Sequence, residues 1–295
     1  MSILVIGGTG QLATALAELA DGRDIVVLAR PTLDFDQPAQ IPALLAARKP
    51  SLIINAAAYT AVDKAESDVE AAYRANASGP EIVAQYCAAA DIPLIHVSTD
   101  YVFDGAKGVP YVETDTADPI GVYGASKRAG EIAVLAACPK AVILRTSWVY
   151  APYGRNFVLT MLGAAQRVSS LRVVADQIGC PTAAPDLAAA IFAIADQLGA
   201  GWRDCYAGIF HAAGTGSTSW HGLACATFAA ASRHGRTPPE VIAITTADWP
   251  TPVRRPADSR LNCEKLARVF GVRLPDWQDA LDRMIDQTLG AQHVA

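Results

Sequence analysis

The sequence contains no long run of lysine or arginine, no Cys-x-x-Cys pair, no internal repeat and no apolar stretch long enough to cross a bilayer. Each absence excludes a class of function. A formal net charge of −5 and a pI near 5.5 provide no electrostatic footprint for a phosphate backbone, so nucleic acid is not an expected partner. The six cysteines (Cys87, Cys138, Cys180, Cys205, Cys225 and Cys263) are too scattered for a zinc knuckle or a redox pair and are expected as core thiols. The apolar start Ile3 to Ile6 is too short for a signal-peptide core and has no basic leader, so a cytoplasmic protein without membrane association is expected. What the chain has in quantity is apolar surface. With 52% hydrophobic and 18% charged residues over 295 positions, it can bury a large core as one domain or two interleaved lobes.

Short, nearly all-apolar runs at Ile3–Ile6, Asp24–Ala29, Ser51–Asn55, Pro93–Thr99 and Ala141–Thr146 read as strands covered on both faces. Helical spacing separates them: Gln11–Leu19, Gln40–Lys49, a long stretch Glu66–Ala90 interrupted near Gly79-Pro80, and Ser126–Ala137. This alternation predicts an α/β fold, a doubly wound parallel sheet of Rossmann type with right-handed crossovers. Beyond residue 150 the pattern loosens, with strands expected at Leu171–Val174 and Gly208–His211 and helices at Leu187–Leu198, Leu223–Ser232 and Trp277–Leu289. Residues 1–150 are therefore read as mainly an NAD(P)-binding domain. Residues 151–295 are read as mainly a smaller substrate-binding lobe, with the segments interleaved.

Two features carry chemistry. The first strand ends in Gly7-Gly8-Thr9-Gly10 and a helix follows, so the backbone can approach a pyrophosphate while the helix N-terminus presents unpaired N–H groups and a positive dipole end. The spacing Gly7-x-x-Gly10-x-x-Ala13 differs from the usual dinucleotide fingerprint, with Ala13 at the close-packing position. The second feature is Thr99 at the end of an apolar strand together with Tyr123-x-x-x-Lys127. Four residues apart on a helix, phenol and ammonium share a face, and the ammonium favours the ionised phenol. Such a triad can protonate a carbonyl oxygen while a nicotinamide delivers hydride to the carbonyl carbon.

Further segments make the chain similar to a known family. Asn55-Ala56-Ala57-Ala58-Tyr59-Thr60-Ala61-Val62-Asp63, Ser98-Thr99-Asp100-Tyr101-Val102-Phe103, Arg145-Thr146-Ser147-Trp148-Val149-Tyr150, Asp176-Gln177-x-Gly179-x-Pro181-Thr182 and Arg255-Pro256-x-x-Ser259-x-Leu261 join the two features above. Together they closely resemble dTDP-4-dehydrorhamnose reductases, which are extended short-chain dehydrogenase/reductases. The resemblance covers nearly the whole chain. It implies reduction of the C4 ketone of dTDP-6-deoxy-L-lyxo-4-hexulose to dTDP-L-rhamnose. Two alternatives stay open: reduction of another 4-keto-6-deoxy nucleotide sugar, and a non-catalytic regulatory subunit like the β subunit of methionine adenosyltransferase.

Carried over residue by residue, the resemblance makes Tyr123 the proton donor, Thr99 a hydrogen-bond partner of the carbonyl oxygen, and Lys127 the holder of the nicotinamide ribose. Gly7, Gly10, Gln11, Leu12, Ala56, Ala57 and Ala58 would line the cofactor, and Asp100 and Trp148 would meet the sugar nucleotide. At the adenosine end, strand two closes with Arg30 and no carboxylate before Asp34, so Arg30 is expected to pair with a 2′-phosphate and NADPH to be preferred. Asp34 and Phe35 complete that end, and Asp34 leaves NADH use open. His96 and His211 are read as structural, and Asp63, Glu66 and Asp68 as dipole partners near a helix start. Some family members are metal-bridged dimers. Ala15 and Pro185 stand at the corresponding positions and cannot ligate, so no metal is expected and homodimerisation is left open.

Overall fold

The computed structural model describes residues 1–290. Its first five strands are β1 (Ser2–Ile6), β2 (Asp24–Leu28), β3 (Leu52–Asn55), β4 (Leu94–Thr99) and β5 (Ala141–Thr146), within a residue or two of the apolar runs that predict them. Short strands follow: β6 (Val149–Tyr150), β7 (Ser170–Val174), β8 (Ile178–Gly179) and β9 (Thr182–Ala183). β10 (Gly208–His211) then returns to the main sheet, and β11 (Thr218–Ser219) and β12 (Glu240–Ile244) remain outside it. The main sheet has the order β10-β5-β4-β3-β1-β2, with every neighbouring pair parallel. From β1 the chain steps to β2 on one side and then crosses to β3 on the other. Ligands of such sheets bind outside the carboxyl ends of the strands at this reversal.

The helices are α1 (Gln11–Glu18), α2 (Ile41–Arg48), α3 (Val62–Ala65), α4 (Val69–Tyr73), α5 (Gly79–Ala89), α6 (Val122–Ala137), α7 (Phe157–Ala165), α8 (Ala184–Ala200), α9 (Trp220–Ser232), α10 (Glu264–Phe270) and α11 (Trp277–Gly290). Alternate residues of β1 serve the two faces of the sheet. Ile3 and Val5 pack with Leu16 of α1 and Ile191 of α8, whereas Leu4 and Ile6 pack with Leu45 of α2 and Val83 of α5. A separate core holds the lobe beyond the sheet, where Val158, Leu223, Trp277, Leu281 and Ile285 meet.

Three differences from expectation have local causes. The helix from Val69 is not broken at Gly79-Pro80; it widens into a π turn at Arg74–Ser78 just before them, and Pro80 follows as the second residue of α5. That turn presents the buried Asn76, whose amide nitrogen donates to Tyr59 O (3.1 Å) and Ser126 Oγ (2.9 Å). Second, α7 was not anticipated, although Asn156 caps it by accepting from Leu159 N (2.9 Å), a signal readable in sequence. Third, not all cysteines are core thiols. Cys87, Cys138 and Cys180 are buried, but Cys205 lies in an exposed turn and Cys225 on the exposed side of α9.

The seat of α6 depends on Gly130, because a Cβ there would lie 1.9 Å from the carbonyl oxygen of Asn76. Gly130→Ala is accordingly expected to cost about 1–3 kcal/mol, the range for overpacking, despite the better helix propensity of alanine. Equilibrium denaturation checks this, and an unchanged midpoint would contradict the close approach.

Candidate active site

The residues singled out in the sequence follow the carboxyl ends of successive strands. Gly7 comes directly after β1 with φ +131°, and a Cβ on it would stand 2.8 Å from Ala57 N. Gly8 is pressed against Ala29 at the end of β2, where an added Cβ would be 2.0 Å from the alanine Cβ. The turn is thus wedged between the ends of β2 and β3. Side chains there would fill the space the backbone leaves. Gly10 precedes α1, and no side chain caps the first amides of that helix. Ala56, Ala57 and Ala58 keep the β3 side of the cleft small, with Ala56 N donating to Ile6 O (2.8 Å). Glycine turn, uncapped helix end and small residues together fit the pyrophosphate and ribose of a dinucleotide. Gln11 joins the two lobes: its Nε2 donates to Val149 O (3.3 Å) and its Oε1 accepts from Asn156 Nδ2 (2.9 Å).

At the far end of the turn, Arg30 lies on the cleft wall with Phe35, while Asp34 does not. Asp34 instead accepts from Arg30 Nε (2.8 Å), and Arg30 Nη2 donates to Asp36 (2.8 Å). The Arg30 side chain is 64% exposed, so these are surface pairs that an incoming phosphate can displace at a cost of about 1 kcal/mol or less. Phe35 is buried over Gly79, where a Cβ would fall 2.4 Å from its ring.

The triad assembles where β4 ends and α6 begins. Glu66 Oε1 accepts from Val122 N (2.7 Å) at the first residue of α6, so this carboxylate serves the helix that carries Tyr123 and Lys127 rather than the nearer α4. Asp63 pairs with Arg255 (2.8 Å) and Asp68 accepts from Tyr59 (3.2 Å), so the three acids have separate partners. The Tyr123 phenol is hydrogen-bonded to Thr99 and its ring meets Tyr101 edge-on at 5.6 Å. Burial pushes the phenol up to about 12, opposed by the Thr99 bond and reinforced by the charge of Asp100. Lys127 is 1% exposed and donates to Val97 O (2.6 Å); burial draws its amine down to about 8, opposed by Glu131. The expected tilt of the phenol toward ionisation is therefore not what this arrangement produces. Burial and the nearby Asp100 favour the neutral phenol, the form that can give a proton.

Asp100 is buried and accepts from Thr99 Oγ1 (3.0 Å), Ser147 Oγ (3.0 Å) and the Ser259 hydroxyl. Burial raises its carboxyl to about 6, against the pull of those hydroxyls. Trp148 has φ +47° and stacks on Trp220 with centroids 3.5 Å apart and planes 6° from parallel. Gly179 makes this possible, since a Cβ there would lie 2.4 Å from the Trp148 ring. Gln177 links the pair onward, accepting from Trp220 Nε1 (3.2 Å) and donating to Thr246 Oγ1 (3.1 Å).

One cleft of about 760 Å³ gathers the glycine turn, Gln11, Leu12, Arg30, Phe35, Ala56–Ala58, Thr99, Asp100, Tyr123, Lys127 and Trp148. Asp34 alone of the expected residues is outside its lining. The sequence reading missed Tyr101, Arg155 and Trp220 on the same wall. Trp220 has no local signal, because it arrives from a different lobe. His96 and His211 are buried beside Asn55 and beside the carbonyls of Tyr111 and Asn262, and burial first of all keeps both neutral, His211 at about 3.

Residues 1–289 match the family model described as RmlD substrate binding domain. The dTDP-4-dehydrorhamnose reductase of Sinorhizobium fredii is 45% identical over 286 residues, covering 97% of each chain. The reductase of Escherichia coli K12 is 41% identical over 97% of this chain and 98% of its own. Among solved structures, a Bacillus anthracis dTDP-4-dehydrorhamnose reductase in complex with NADP superposes with a TM-score of 0.89 at 34% identity, over 98% of this chain and all of that one.

The stacked tryptophans generate a test. Trp148→Ala is expected to raise KM for the sugar nucleotide by about tenfold, the scale of one lost aromatic contact, while KM for the cofactor changes little. Steady-state kinetics with both ligands, accompanied by a thermal melt, checks it. A lowered Tm with both Michaelis constants unmoved would make Trp148 a packing residue only.

Proposed function

The chain belongs to the family of dTDP-4-dehydrorhamnose reductases, and on that premise we propose that Thr99, Tyr123 and Lys127 carry its reduction of the C4 ketone of dTDP-6-deoxy-L-lyxo-4-hexulose to dTDP-L-rhamnose. NADPH supplies the hydride when bound. The observation that carries the assignment is the convergence, in the cleft that begins at the glycine turn, of a phenol, a strand-end hydroxyl and a buried amine. A pure binding module has no chemical use for that set.

As hydride reaches C4, negative charge develops on the carbonyl oxygen, and donors already aimed at that oxygen lower the barrier. Tyr123 gives its proton to the incipient alkoxide. Thr99, whose own hydroxyl hydrogen is directed at Asp100, stands ready to stabilise the resulting phenolate by turning toward it. The Lys127 ammonium, one helical turn away, opposes the same charge and reaches the nicotinamide ribose. Gly7 and Gly10 cradle the pyrophosphate, Arg30 takes the 2′-phosphate, and Trp148 forms an apolar wall against the sugar. In this reading residues 1–150 chiefly hold the dinucleotide and the lobe beyond them chiefly holds the sugar nucleotide. Among the described residues no helix is long and apolar enough to cross a membrane, and the cytoplasm is the compartment this reading assigns.

NMR identification of the product formed from the 4-keto sugar nucleotide and NADPH tests substrate and C4 configuration together. A different C4 epimer would move the enzyme to a neighbouring specificity. Tyr123→Phe is expected to retain cofactor affinity and lose about 10²–10⁴-fold in kcat, the contribution of a general acid; rates within threefold of wild type would remove Tyr123 as the donor. Arg30→Ala is expected to raise KM for NADPH about tenfold or more, the worth of charge-assisted bonds, with little effect on NADH. Equal loss with both cofactors would place Arg30 elsewhere in the energetics.

A further inference from the structure

A buried charge cluster lies directly behind the triad. Glu131 Oε1 accepts from Ser98 Oγ (2.7 Å) and Arg145 Nε (2.7 Å), while Oε2 accepts from Arg145 Nη2 (2.7 Å) and Arg128 Nη1 (3.0 Å). Glu131 is fully buried and Arg145 is 1% exposed, with its guanidinium 4.9 Å from the centre of the Phe103 ring. Taking such a pair out of water costs several kcal/mol, and packed apolar residues can provide as much stability. The cluster therefore calls for a role beyond holding the fold together.

Its geometry supplies one. Tyr123, Lys127 and Glu131 occupy positions i, i+4 and i+8 of α6 and so share one face. That face meets three consecutive residues of β4: Thr99 bonds Tyr123, the Val97 carbonyl bonds Lys127, and Ser98 bonds Glu131. Arg145, in register opposite Ser98 on β5, grips the same carboxylate in a two-pronged bond that fixes direction as well as distance. A slip of α6 along β4 would break all of these bonds at once.

We propose that Glu131, clamped by Arg145 and Ser98, is a positioning residue for the reduction: it locks α6 on β4 in the register that delivers Tyr123 and Lys127 to the cleft, with its carboxylate one helical turn beyond Lys127 on the same face. This rests on the roles assigned above to Tyr123 and Lys127. On the elements packed about Lys127, the charged and titratable groups are Tyr123, Arg128 and Glu131 of α6, His96 of β4 with Asp100 just after it, and Arg145 of β5; of these, Glu131 raises the Lys127 amine and Lys127 lowers His96. His96 is kept neutral by burial and by Lys127 itself, and among the described residues the ion-pair partner of Arg145 is Glu131. Removing the Glu131 charge takes away the group that opposes burial at the Lys127 amine and leaves the buried Arg145 guanidinium without its carboxylate. A lysine whose pKa falls loses its proton at lower pH, so activity that needs the ammonium disappears earlier as pH rises.

The test is the pH profile of kcat/KM for wild type, Glu131→Gln, Glu131→Asp and Ser98→Ala, with NADPH affinity and Tm measured on each. In Glu131→Gln the basic limb is expected to move to lower pH by about one unit, the scale for loss of one nearby opposite charge. Glu131→Asp should return the limb toward wild type even where its Tm stays low. Ser98→Ala retains the carboxylate and its arginine, so its limb should stay in place while kcat falls. A folded Glu131→Gln protein whose limb coincides with wild type overturns the proposal; if that variant does not fold, wild-type kcat in Ser98→Ala overturns it. Tyr123→Phe run alongside separates the two levels. Wild-type turnover there refutes the triad, whereas an inert Tyr123→Phe beside an unmoved limb refutes only the role of Glu131.

Discussion

The packing of α6 against β4 is the contact on which the rest of the site depends. It requires a close approach of helix to neighbouring backbone, which Gly124 and Gly130 permit: a Cβ on Gly124 would lie 2.1 Å from Tyr101 O, as one on Gly130 would crowd Asn76 O. It also requires that polar groups drawn into the contact find partners, since each one left unpaired in the interior costs about 1–3 kcal/mol. Asn76 donates to Ser126 and Ser126 in turn to Tyr123 O, Glu66 takes the first amide of α6, and Ser98 and Arg145 take Glu131. The seat is therefore polar and specific, where an apolar one would allow the helix to slide.

The parallel sheet then determines where that seat points. Because all six strands run the same way, their carboxyl ends form a single edge, and the chain's reversal between β2 and β3 opens a crevice there. Gly7 leaves β1, Ala56 leaves β3, Asp100 leaves β4 and Trp148 follows β5, so segments far apart in sequence arrive within one cleft. The glycine turn cannot relax away from this edge, being wedged against Ala57 on one side and Ala29 on the other. Preorganisation of this kind lets a bound dinucleotide meet groups that need little rearrangement.

The second lobe adds a wall from the opposite direction. Trp220, at the start of α9, is brought onto Trp148 by a chain of contacts through Gln177 and Thr246, and the left-handed backbone of Trp148 together with Gly179 makes the stacking possible. A non-glycine residue at positive φ is strained, and here the strain directs an indole toward the cleft. Asp100 stands beneath, with three hydroxyls from three separate segments on its carboxylate. The two ends of the cleft are thus built by different rules: buried aromatic and hydroxyl contacts at the Trp148 end, backbone and exposed charge at the glycine-turn end.

What the sequence determined by itself was local. Strands with both faces apolar, the glycine turn after Ile6, the Tyr123–Lys127 spacing and the full-length family likeness depend on periodicity and nearest neighbours, which survive reading in one dimension. The strand Gly208–His211 was legible as a strand but not as the partner of β5. Glu131 stood at the same helical spacing as the triad, yet nothing in sequence says that an arginine fourteen positions on will close over it. The protonation of Tyr123 was read from its lysine alone, whereas burial, a property of the whole fold, decides it. Ser147 reaches Asp100 because the sheet sets the ends of β4 and β5 side by side, while Ser259 and Trp220 come to the site from segments outside that sheet. Tertiary structure decides these matters because desolvation and cross-lobe contact depend on what surrounds a side chain in space, and sequence spacing does not record that.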